Sequence, residues 1–142
     1  MACADISLAQ LWDAWPNMFI AKFDPRLRDH KFATTKVEAG WYLVRKTPVP
    51  DSLYKSWKAQ CQLLTYPDEV PNAGVLAQAV IVHYRETGEY LFDNVYVRVA
   101  DVDDDGRKIF VGGLNKSGLT VGSSDGENNG GGVGLSSCMR RG

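Results

Sequence analysis

VYVRVADVDDDGRKIFVGGLNKSGLTVGSS, residues 95–124, is the stretch on which the fold class turns. Val95, Val97 and Val99 alternate with Tyr96 and Arg98, the two-residue period of a strand with one face in a core. The apolar runs KIFV (108–111) and LTV (119–121) follow, and VGL (133–135) comes after a Gly-rich segment. DVDDDGR, NKSG and DGENNGGG separate the runs, and Gly, Asn and Asp tolerate the backbone angles of tight turns. With WYLVRK (41–46) counted as a further strand, this predicts an antiparallel β-meander of about four to five strands.

Upstream the pattern becomes helical. From Asn72, AGVLAQAVIVHYRETG is apolar from Val75 to Val82 and rich in alanine, with Asn72 as N-cap and Gly88 as a C-terminal stop, which predicts a buried helix. Ser7 caps a shorter helix through about Trp15, with Leu8, Leu11, Trp12 and Trp15 at helical spacing and Pro16 behind it. Its two Trp residues are expected in the core. A third helix is expected from Leu53 to Leu64, where Leu53, Trp57, Cys61 and Leu64 share a stripe opposite Lys55, Lys58 and Gln62. The fold class is thus α+β: a meander packed with two to three helices drawn from the N-terminal two-thirds, in one domain spanning 1–142. Residues 1–38 are expected to wrap the core with a short helix, and the Gly-rich end, 124–142, has the backbone freedom of a mobile segment.

Composition narrows the function classes. The chain carries 16 Lys plus Arg against 17 Asp plus Glu and is 44% apolar, which suits a folded domain and not a polyelectrolyte. A formal charge of −1 removes the collective electrostatics that polyanion binding usually requires, so nucleic acid is disfavoured as a partner. Basic residues do interleave with Phe19, Phe23 and Phe32, but Asp24, Asp29 and Glu38 dilute that stretch. No basic-then-apolar leader and no run of about 18 apolar residues is present, so the expectation is a cytoplasmic protein without a membrane partner. Three widely spaced Cys suit reduced thiols.

Asp101, Asp103 and Asp105, followed by Gly106, spell D-x-D-x-D-G, the opening of a calcium loop. Position twelve of such a loop would be Gly112 in place of a bidentate Glu, and Arg107 and Lys108 add two positive charges. Weak Ca²⁺ binding is the cofactor candidate; the simpler expectation is no cofactor and an Asp-rich hairpin turn.

KIFVGGL, Lys108–Leu114, resembles the first-strand signature of RNA-recognition motifs, in which the residue at Phe110 would stack on a base. The family's order of elements contradicts it, since only 28 Gly-rich residues follow Leu114 and no second signature is present. GLNKSGLT (113–120) has the glycine spacing of a phosphate loop but Leu119 where its Lys must stand.

For catalysis, Cys61 and His83 lie on adjacent predicted helices, but both belong to apolar stretches and read as core residues. His30 follows Asp29 directly, which points the two apart on an extended chain. Ser136-Ser137-Cys138 supplies nucleophiles that read as accessible. What remains is the side of the meander opposite the valines. Asn94, Tyr96 and Arg98 point there, and Tyr and Arg are enriched at binding hot spots. The sequence therefore favours a small, non-enzymatic binding or accessory module that uses a sheet face or edge at Tyr96 and Arg98 to contact a protein. A calcium-dependent module using Asp101, Asp103 and Asp105 is the alternative, and a small enzyme with an unrecognised site the third.

Overall fold

A computed structural model describes residues 2–19, 25–93, 95–112, 114–124 and 133–141. In chain order these form β1 (Ala2–Cys3), α1 (Leu8–Ala14), α2 (Lys31–Thr34), β2 (Gly40–Val44), α3 (Trp57–Cys61), α4 (Ala73–Thr87), β3 (Tyr96–Val102), β4 (Lys108–Gly112), β5 (Thr120–Ser124), β6 (Val133–Leu135) and β7 (Cys138–Arg141). Single 3₁₀ segments occupy Pro16–Met18 and Pro25–Asp29. The class is α+β, as the sequence predicts.

α4 is the centre. The Val75 amide donates to the Asn72 side chain at 2.8 Å, and Gly88, at φ +75°, takes the left-handed conformation that closes the last turn. Every residue from Ala73 to Ile81 is buried, so this helix meets protein all round. One side packs Leu76, Ala77, Val80 and Ile81 with Val97, Val99, Ile109, Val111 and Val121 of the larger sheet. Each Val, Leu or Ile among them contributes about 1.5–3 kcal/mol on full burial. The N-terminal segment adds Leu8, Leu11, Phe19, Leu27 and Ala33 to the same core.

The meander extends to three strands and then changes. β5, β4 and β3 pair antiparallel, but β6 lies parallel to β3, with Tyr96 opposite Val133 and Arg98 opposite Leu135. After Ser136-Ser137 the chain enters a second sheet, ordered β1-β2-β7. The described residues hold seven strands in sheets of four and three, where the sequence led to four or five in one. Within the Gly-rich end expected over 124–142, residues 133–141 form β6 and β7. Pairing of β6 with β3 and of β7 with β2 satisfies their backbone groups, and Leu135 and Cys138 are buried. Residues 125–132 and 142 lie outside the described residues.

Two local expectations fail for identifiable reasons. The helix expected from Leu53 to Leu64 is only α3, because Asp51 and Tyr54 both adopt positive φ, +66° and +61°, and Ser56 caps the helix that follows. The buried residue there is polar Gln60, while Leu53 is exposed. α1 stops at Ala14, so Trp15 leaves the helical stripe and lies exposed with Arg85 over its ring at 3.8 Å. Trp12 stays against the core, stacked on Phe19 at 5.1 Å. Among the described residues no helix is long and apolar enough to cross a membrane.

Candidate functional site

Alternation along β3 and β4 turns Tyr96, Arg98, Lys108 and Phe110 to the side of the sheet opposite the α4 core. That face has a covered end and an open end. A loop through residues 49–61 covers the first, and Arg98 beneath it is only 1% exposed. Its Nη1 donates to the Lys55 carbonyl at 2.8 Å and to Gln60 Oε1 at 2.9 Å. Gln60 Nε2 donates to the carbonyls of Ser52 and Val133, at 2.8 and 2.9 Å. Lys108 Nζ donates to the Ala100 carbonyl at 3.0 Å and lies 3.6 Å from the centre of the Trp57 ring. Burial holds the Lys108 pKa below the usual lysine range, against the opposing pull of Asp101 and Cys61. The expectation that Arg98 is presented to a partner is thus corrected: it points to the expected side, and the 49–61 loop buries it. Periodicity records which side a residue takes, not what later chain covers it.

The open end holds Tyr96, which is 38% exposed, edge-on to Phe110 with ring centres 5.4 Å apart. Phe110 pairs in register with Gly122 and lies over it: a Cβ added at Gly122 would stand 2.5 Å from the ring. The missing side chain on β5 is what gives the aromatic ring its place. Sequence reasoning named Tyr96, met Phe110 only in the RNA-recognition resemblance and Lys108 only as a charge beside the Asp-rich turn, and missed Gly122 and Gln60. The alternation in KIFVG contains the signal for Lys108 and Phe110, since Ile109 and Val111 take the core side. Asn94 lies outside the described residues, as do Lys22 and Phe23 of the basic and aromatic stretch.

The Asp-rich turn uses its carboxylates on protein. Asp101 Oδ2 accepts from the Ala73 amide at 2.6 Å, tying the end of β3 to the first turn of α4. Burial pushes the Asp101 pKa up against that bond and Lys108. Asp103 Oδ1 accepts from the amides of Asp105 and Arg107, both at 2.9 Å, and Gly106 at φ +81° completes the reversal. Burial acts to raise Asp103, but the bonds from Arg107, Ser123 and Asp105 outweigh it and its pKa lies below the ordinary carboxylate value. Asp105 is exposed. Among the described residues no three His, Cys, Asp or Glu groups form a set able to hold a metal ion.

The candidate nucleophiles are dispersed. Ser136, Ser137 and Cys138, read as accessible, are buried, and the Ser136 hydroxyl donates to the Arg98 carbonyl at 2.7 Å. Burial, with Glu69 nearby, pushes the Cys138 thiol up to about 12, and burial pushes Cys3 up to about 11, so neither presents a thiolate. His83 is half-buried and meets Glu89 at 2.6 Å, while His30 accepts from the Asp104 amide at 3.2 Å. No family model, curated protein or solved structure matches this chain.

Proposed function

We propose that the protein is a small, cytoplasmic, non-enzymatic binding module whose contact surface is the open end of the four-stranded sheet. One observation carries the reading: Tyr96 and Phe110 form an aromatic ledge beside the edge strand β5, on the part of the face that the 49–61 loop leaves uncovered. Exposed aromatics that are held in place lose little side-chain entropy on docking, which is why they act as anchors at protein interfaces. Arg98 and Lys108 serve this surface from below, by fixing the loop that bounds it. The partner is a protein.

The test is affinity capture with the full chain from cells of its own source, comparing the parent, Tyr96→Ala, Thr120→Arg and Tyr66→Ala. A partner lost with the first two variants and retained with Tyr66→Ala, whose side chain is exposed far from the ledge in sequence, supports the reading. Identical captures by the parent, Tyr96→Ala and Thr120→Arg would overturn it.

A further inference from the structure

β1 is two residues long and β2 is five. The pairs are Ala2 with Trp41 and Cys3 with Gly40, so β1 runs beside only the first part of β2. On the other flank β7 pairs with Trp41 through Val44, and the Arg45 amide donates to the Ser137 carbonyl at 3.0 Å. Antiparallel pairs alternate, so if Arg45 turns its backbone groups toward Ser137, so does Leu43 toward β7. Val44 and Lys46 then turn theirs the opposite way, into the track β1 would follow were it longer. Among the described residues no strand meets Val44 on that side.

That space is a groove of about 250 Å³ between β2 and α4. Val44, Ala79, Val82 and Leu91 form its apolar floor, and Lys46 and Glu86 stand on its rim. On the outer side of the same strand Trp41 is 62% exposed and Leu43 49%. A strand laid along β2 would send alternate side chains to the floor and to Leu43, covering both apolar surfaces at once.

We propose that this groove binds an extended peptide segment of a partner protein, added as a strand antiparallel to β2 in the track of β1. About four residues span the open stretch at the rise of a β-strand. The segment is apolar at the positions facing Val44 and Val82, and main-chain hydrogen bonds to Val44 and Lys46 hold it. A second copy of this chain is a poor occupant. Two-fold pairing of the two β2 edges would set Arg45 and Lys46 of both copies side by side, and β1 already occupies Gly40 and Trp41. This site is separate from the Tyr96 ledge and does not depend on it.

The decisive experiment extends the full chain with Val-Thr-Val-Thr before Met1, which in the register of β1 sets the two valines opposite Val44 and Lys46 on the groove side and tethers the probe at high effective concentration. Amide hydrogen exchange is then read residue by residue. The expected result is at least a tenfold slowing at Val44 and Lys46, with a change in Trp41 fluorescence, and loss of the slowing in Val82→Glu, which blocks the groove from the helix side. Val44→Pro, which removes the edge-facing donor, serves as a second disruption. Unchanged exchange at Val44 and Lys46 in the extended chain overturns the proposal. So does concentration-dependent protection of the same amides in the unextended chain with a doubling of mass, because the occupant is then a second copy.

Discussion

Arg98 and Gln60, 38 positions apart, meet at 2.9 Å beneath the loop that covers one end of the sheet. The bond joins β3 to α3, and Gln60 passes the link on to Ser52 and to Val133 of β6. A buried amide with both functions engaged in this way locks the chain around it. Gln60→Leu takes an acceptor from a buried guanidinium and is expected to cost about 1.5–3 kcal/mol in urea unfolding. Arg98→Met costs a similar amount, and the double variant costs less than the sum of the two, since the second change removes a group already deprived of its partner. Strict additivity would mean that the two residues act independently.

Gly122 is expected to resist even the smallest side chain. A methyl group there would stand 2.5 Å from the Phe110 ring, closer than real contacts allow. Gly122→Ala should destabilise by about 1–3 kcal/mol through overpacking, and Phe110→Leu in the same chain should recover part of that loss. Because Phe110 supports Tyr96, near-ultraviolet circular dichroism of the aromatics should shift with Gly122→Ala. An unchanged spectrum together with unchanged stability would contradict the placement of the ring.

Asp103 contributes to the acid limb of stability. Its folded pKa lies below the ordinary value because the hydrogen bonds to Asp103 outweigh the effect of burial. For a carboxylate so shifted, the stabilisation is present above the unfolded pKa of about 4 and is lost as pH falls through the lower folded value. Asp103→Asn keeps an oxygen for the turn but does not titrate. The urea midpoint of the parent should therefore fall more steeply than that of the variant below about pH 5. Parallel curves down to pH 2 would show that the turn makes no such contribution.

Thiol chemistry should separate the three cysteines. Cys3 and Cys138 are buried, with pKa values near 11 and 12, while Cys61 is half-buried, and burial raises its pKa as well. An aromatic disulfide reagent at mildly alkaline pH is expected to titrate one thiol in the native protein and all three in denaturant. Cys61→Ser should remove the native reaction. Rapid native labelling of Cys138 would be incompatible with the closed junction between the two sheets.

Tyr96 is expected to matter for binding and little for folding. Its ring is partly exposed, so Tyr96→Ala should shift stability by about 1 kcal/mol or less beyond the lost contact with Phe110. The same change should abolish capture of the partner. A large loss of stability would mark Tyr96 as a core residue instead.

Local chemistry was enough for α4, since Asn72, the apolar run and Gly88 lie within one segment, and for the alternating strands β3, β4 and β5. It also placed Tyr96 and Arg98 on the side of the sheet away from the valines, because side-chain direction in a strand follows from a period of two. Whether either residue is reachable depends on chain distant in sequence. Gln60 and Lys55 cover Arg98, the 49–54 loop bends through Asp51 and Tyr54 to seat Ser52 against Leu135, and the short Gly-rich end supplies a strand to each sheet. These are long-range pairings, whose free energy comes from burial and hydrogen bonds that exist only after the chain has folded. No window of residues read along the sequence contains them.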